Sequence, residues 1–125
     1  MIENYYPIDF REIKDKNRIS ISKDVIEKLC NPEEVLFVKY KANGEEVIVI
    51  QNASDPPISD NIIGRSKIDA RERITLSMKV QKEIGFMGHE AKKFVGIIEL
   101  GIDGGVKILE LCRIGKINNK VKYNG

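Results

Sequence analysis

Ile13-Lys14-Asp15-Lys16-Asn17-Arg18-Ile19-Ser20-Ile21-Ser22 returns 55 positions later as Ile68-Asp69-Ala70-Arg71-Glu72-Arg73-Ile74-Thr75-Leu76-Ser77, and this repetition decides the fold of the 125-residue chain. From Arg18 the residues alternate polar and apolar, so Ile19 and Ile21 point to one side of a strand while Arg18, Ser20 and Ser22 point to the other. The match runs on, with Val25 and Leu29 recurring as Val80 and Ile84, so the repeating unit is a strand followed by a short helix. Two copies imply internal two-fold pseudosymmetry. A unit of about 55 residues is marginal alone, so the halves are expected to share one core.

Outward from the first copy, Tyr6-Pro7-Ile8-Asp9-Phe10 alternates into Ile13 and reads as a strand. Ser22 can cap a helix spanning Lys23 to Leu29, which Pro32 is expected to stop. Val35 to Tyr40 and Val47 to Ile50 are apolar runs of strand length, joined across Asn43-Gly44, a pair suited to a two-residue hairpin turn. The second half repeats the plan: Ile62 to Ile68, Arg73 to Leu76, a helix from Met78 to Ile84, then Phe94 to Leu100 and Val106 to Leu111 around a Gly101–Gly105 loop. Residues 52–61, with Pro56 and Pro57, have linker composition. The expected organisation is a first repeat over 1–51, the linker, a second repeat over 62–114 and a basic tail over 115–125. Tyr5 and Tyr6 read as part of a strand packed on the body rather than as a base-stacking platform.

An apolar content of 42% beside 32% charged residues is that of a globular domain, and no apolar run approaches the roughly 18 residues of a membrane span. The first ten residues lack the layout of a signal peptide, so a cytoplasmic location and no membrane partner are expected. Cys30 and Cys112 stand far apart with no second thiol or imidazole nearby, which suggests buried thiols and no metal site. His89 is the single histidine, and neither a nucleophile with its base nor a phosphate-binding loop is evident. The Gly101–Gly105 stretch lacks a following Lys-Ser/Thr and reads as a hairpin turn. An enzyme and a cofactor are therefore not expected.

The net charge of +2 hides an uneven distribution. Arg11 to Lys23 holds five basic and two acidic residues, and Arg65 to Lys82 holds six and two, whereas Asn31 to Asn61 holds two basic and six acidic ones. Both copies are thus basic at the same element. If pseudosymmetry sets the two basic hairpins side by side, Arg18 and Arg73 project together toward phosphates. The plainer alternative is a solvated rim in which Lys16 pairs with Asp15 and Arg71 with Asp69.

The two stretches Lys14–Cys30 and Asp69–Gly85 resemble the AbrB/SpoVT/MraZ swapped-hairpin superfamily, whose usual run is approximately D-x-K-G-R-I-x-I-P-K-E-V-R-x-x-L-G. That resemblance implies a mainly β, α+β fold: a swapped-hairpin barrel in which two tandem repeats form a covalent pseudo-dimer. It also implies a cytoplasmic transcription regulator that binds double-stranded DNA through arginines on paired hairpins. Arg18 and Arg73 match the motif arginine, Lys16 and Arg71 the preceding base, and Arg11 an upstream DNA-contacting arginine. The place equivalent to Arg11 is Ser66, flanked by Arg65 and Lys67, while the D-x-x-x-R pattern is met by Asp69 and Arg73 and lost at Lys14. The chain departs from the motif at its glycine (Asn17, Glu72), its proline (Ser22, Ser77) and the arginine after the helix valine (Ile26, Gln81).

The expected DNA contacts are therefore Arg11, Lys16, Arg18, Arg71 and Arg73, supported by Lys23, Arg65, Lys67 and Lys79. The competing expectation is a protein-interaction or oligomeric assembly module that keeps the barrel without DNA binding, with Ile26 as an exposed apolar contact.

Overall fold

The computed structural model describes residues 7–115, so the expectations for Tyr5, Tyr6 and the tail beyond residue 115 lie outside the described residues. The first half runs β1 (Pro7–Glu12), β2 (Arg18–Ser20), α1 (Lys23–Lys28), β3 (Glu34–Ala42) and β4 (Glu45–Asn52). The second half runs β5 (Ile62–Lys67), β6 (Arg73–Thr75), α2 (Met78–Glu83), β7 (Phe94–Asp103) and β8 (Val106–Arg113). The fold is mainly β with two short helices, as the sequence indicates.

Six strands form one antiparallel sheet in the order β1-β7-β8-β4-β3-β5, and β2 with β6 forms a separate ribbon. Exchanging the two halves turns that order into its own reverse, so the pairing obeys the two-fold relation in the repeat. The first strand of each half pairs with the third strand of the other: Arg11 lies opposite Val95, and Arg65 opposite Leu36. Neither half completes its sheet alone.

The sheet is covered on both faces. On one, Val35, Phe37, Ile48, Ile50, Val95 and Ile97 meet the ribbon and the two helices. On the other, Leu36, Val38, Val47, Val49 and Ile108 pack together under Ala53 and Ile58. Burial on both sides is why β3 and β4 read as continuous apolar runs rather than alternating ones.

Each helix has six residues, too few to persist without packing. Ser22 Oγ accepts from Val25 N–H and Ser77 Oγ from Val80 N–H, both at 3.2 Å, so the two serines cap as expected. The ends match too. Asn31 N–H reaches Ile26 O and Phe86 N–H reaches Gln81 O, each closing through a left-handed residue, Cys30 at φ 63° and Gly85 at φ 106°. The first helix therefore ends before Pro32, which is not its stop signal. Because that left-handed position faces solvent, Cys30 is exposed, and only Cys112 is the buried thiol expected of both.

Asn43 and Gly44, with φ of 53° and 80°, make the predicted hairpin turn, and Gly104 and Gly105 repeat it at 56° and 83°. The second turn is shorter than expected, because β7 continues through Gly101 to Asp103. Gly101, at φ 114°, sits where the β7–β8 register shifts, so it provides a bulge inside the strand rather than a loop. β8 likewise runs two residues beyond the expected Leu111, to Arg113.

The linker composition of 52–61 conceals a pinned strap. Gln51, fully buried, donates from Nε2 to Pro56 O at 3.1 Å and accepts from Ile58 N–H at 3.0 Å. Asn52 Nδ2 donates to Leu29 O at 3.0 Å, and Ser59 Oγ donates to Lys39 O at 2.6 Å.

Opposite charges mark the crossing of the halves. Lys28 of α1 reaches Glu99 of β7 at 3.0 Å, and at the equivalent place Glu83 of α2 reaches Lys39 of β3 at 3.0 Å. Hydrogen bonds from these ammonium groups to Glu99 and Glu83 raise the pKa of Lys28 and Lys39.

Candidate nucleic-acid interface

The ribbon is three residues long on each strand, and its pairing sets Arg18 opposite Thr75, Ile19 opposite Ile74 and Ser20 opposite Arg73. Ile19 and Ile74 are 0% and 1% exposed, so the inner face is anchored in the core and the outer face carries Arg18, Ser20, Arg73 and Thr75. Two bonds extend the ladder symmetrically, from Ile21 N–H to Glu72 O at 2.9 Å and from Leu76 N–H to Asn17 O at 2.8 Å. The two motif arginines, both half-buried, are thus brought onto one outer face with the exposed Ser20 and Thr75.

Each ribbon strand is entered through a tight loop whose last residue is left-handed, Asn17 and Glu72, both at φ 58°. This is the position where the resembling family has glycine. Asn tolerates the conformation, whereas Glu there costs about 1 kcal/mol. Glu72→Gly is expected to raise the unfolding free energy by about 1 kcal/mol, read from the urea midpoint, while Asn17→Gly changes it little.

The second loop is built around Asp69. Its Oδ1 accepts from Arg71 N–H at 2.9 Å and Arg73 N–H at 3.0 Å, and its Oδ2 from Arg73 Nε at 2.8 Å. Desolvation pushes the Asp69 carboxyl up, but these hydrogen bonds outweigh it and hold the group below the ordinary carboxylate range. The solvated-rim alternative paired Asp69 with the wrong arginine: the side-chain partner is Arg73. In the first loop Lys14 occupies the matching place, paired with Glu12 at 3.2 Å, and among the described residues Arg18 Nε has the Asp15 carbonyl as its one partner, at 3.3 Å. Beside it lies an open groove of about 540 Å³ lined by Glu12, Lys14, Asp15, Arg18, Ser20 and Arg73.

Lys16 and Arg71 stand exposed in the two loops, and Lys23 and Lys79 lie in the first turns of α1 and α2, also exposed. None of these four makes an ion pair within 4.0 Å of another described residue. Arg11 lies on the ribbon side of β1, with Nε 2.7 Å from Asp9 Oδ1, although its N–H is not aimed at that oxygen. Asp9 is itself buried and accepts from Ser22 N–H at 3.0 Å, so Arg11 is tied to the helix start. Arg65 and Lys67 are the exceptions to the grouping. They stand opposite Leu36 and Glu34 on the far face of the sheet, and Arg65 approaches Glu34 at 3.5 Å, because strand alternation carries them away from Ser66. Ser66 is buried on the near face, where its hydroxyl accepts from Thr75 N–H at 2.8 Å and ties the ribbon to β5.

Behind the ribbon, Gln81 is 0% exposed. Its Nε2 donates to Leu76 O at 2.8 Å and to Asn17 Oδ1 at 3.1 Å, and its Oε1 accepts from Lys93 Nζ at 2.9 Å. The amide therefore braces the second helix against the loop of the first repeat. Ile26, its counterpart, is half-buried against the main core and is not an exposed contact. That these two align with each other, one of them a large apolar residue, is the sequence signal that the position faces inward.

Among the described residues there is no group of side chains suited to hold a metal ion, and no helix is long and apolar enough to cross a membrane. Compared with protein-family models, with curated proteins and with solved structures, the chain matches none.

Proposed function

We propose that this chain is a DNA-binding regulator of AbrB-like type, a covalent pseudo-dimer of two swapped hairpins that grips duplex DNA with the β2–β6 ribbon and its loops. The observation that carries the reading is the outward presentation of Arg18 and Arg73 at matched positions of one ribbon anchored by Ile19 and Ile74. The exchange of first strands between the halves and the reversible strand order support the pseudo-dimer. Lys16, Arg71, Lys23 and Lys79 extend the cationic surface, and Arg11 borders it; Arg65 and Lys67 drop out of the contact set. A short rigid ribbon with flexible cations around it suits phosphate contact and a preference set by duplex shape more than by base edges.

The proposed-contact count gives a measurable salt dependence. With Lys16 and Arg18 each neutralising a phosphate, and Arg71, Arg73, Lys23 and Lys79 together about two more, the slope of log K against log salt is about −3.6. Binding to a mixed-sequence duplex is then expected to weaken about 100-fold between 50 and 200 mM salt. A titration of the wild-type protein measures this, and binding that ignores salt contradicts the proposal.

A further inference from the structure

The two loops at the ends of the ribbon are related by the repeat but differ in charge and in freedom. Residues 14–18 comprise Lys14, Asp15, Lys16, Asn17 and Arg18, three bases against one acid. Residues 69–73 comprise Asp69, Ala70, Arg71, Glu72 and Arg73, two against two. Arg73 is held at 2.8 Å by the Asp69 carboxylate, which also accepts two backbone N–H groups and fixes the loop. Among the described residues Arg18 is held by one carbonyl, at 3.3 Å, and its side of the ribbon carries the open groove that Arg18 and Arg73 both line.

We propose that the ribbon grips DNA unequally: the first loop, through Lys16 and Arg18, supplies most of the phosphate attraction, while Lys14 is held by Glu12 at 3.2 Å. The second loop is a preformed and electrically neutral post. This rests on the DNA-binding reading above and adds a polarity to it. A phosphate approaching Arg73 meets a guanidinium whose charge is already shared with Asp69, and Glu72 repels it further. At Arg18, which among the described residues has one backbone acceptor and no carboxylate within ion-pair distance, a phosphate displaces that carbonyl alone, though Glu12 and Asp15 also line the groove. A ribbon made by two identical chains has identical ends and suits a palindromic site. Here the fused halves have diverged at those ends, so the duplex sits in one orientation and the preferred site is not a palindrome.

The test compares two variants that each remove two cations, Lys16→Ala/Arg18→Ala and Arg71→Ala/Arg73→Ala, on a mixed-sequence duplex across a salt series. The first is expected to weaken binding about tenfold or more and to make the salt slope shallower by about 1.8. The second is expected to weaken binding less than about threefold, with a slope change under about 0.9. Thermal unfolding of each variant separates lost contacts from lost fold. A further variant, Asp69→Asn, keeps an acceptor oxygen for the Arg71 and Arg73 N–H groups while removing the charge, and is expected to bind at least about threefold tighter with a steeper slope. Equal losses from the two pairs, a larger loss from the second, or no gain from Asp69→Asn overturns the polarity while leaving DNA binding in place. No loss from either pair, or no binding of the folded wild-type protein at low salt, overturns the DNA reading and the polarity with it.

Discussion

Ile74→Ala is expected to lower the unfolding free energy by about 3 to 4 kcal/mol, measured by urea denaturation at neutral pH. The side chain is 1% exposed and lies opposite Ile19, which is fully buried, at the centre of the ribbon. Strands of three residues cannot hold each other in water, so the ribbon exists because this pair is packed into the core beneath it. Truncation removes three carbons and leaves a cavity that a ribbon fixed at both ends closes only in part. Because a domain of this size has about 5 to 15 kcal/mol in total, the loss is a large share of the whole. Ile74→Val, which removes one methyl, is expected to cost about 1 kcal/mol. A loss under about 1 kcal/mol for the alanine variant contradicts the view that the ribbon is anchored by its inner face.

Gln81 is expected to rank next. Gln81→Leu keeps the volume but withdraws the donor from Leu76 O and Asn17 Oδ1, and its cost is about 2 kcal/mol because those acceptors stay behind in a buried place. Gln81→Glu should cost more, about 3 kcal/mol, although it is closer in shape. It keeps an acceptor for Lys93 but sets a carboxylate against two oxygens. The order Gln > Leu > Glu in thermal midpoint is the signature of a donor requirement, and the reverse order for Leu and Glu would show that the Lys93 contact dominates instead. Since Asn17 closes the loop that carries Lys16 and Arg18, both variants are also expected to weaken DNA binding more than their fold loss explains.

How far the sequence announced this arrangement depends on the kind of signal involved. The repeat carried the order of elements, the two serine caps and the placing of both arginines on one face of the ribbon, because period-two alternation and capping chemistry are local and were present twice. The Asn43-Gly44 turn was legible for the same reason. What escaped was settled by contacts distant in sequence. Asp9 meets Ser22 across thirteen residues, and Gln81 meets Asn17 across sixty-four. Such partners leave no trace in a single window. Gly101 misled because glycine serves a bulge as readily as a turn, and Pro32 because the left-handed Cys30 had already ended the helix. Arg65 and Lys67 were grouped with the contacts by their closeness in sequence to Ser66, yet one step along a strand is a change of face.

The proposed function stands on two side chains, and they offer the most direct test. Fluorescence anisotropy of a labelled mixed-sequence duplex should be measured for the wild-type protein and for Arg18→Ala/Arg73→Ala, from low to physiological salt, with both proteins shown to be folded by circular dichroism. The account predicts wild-type binding that weakens steeply with salt and falls at least about tenfold in the variant, whose salt slope is shallower by at least about 0.9. Equal affinity and equal slope for the two proteins would contradict it, because the matched arginines would then have no part in holding DNA.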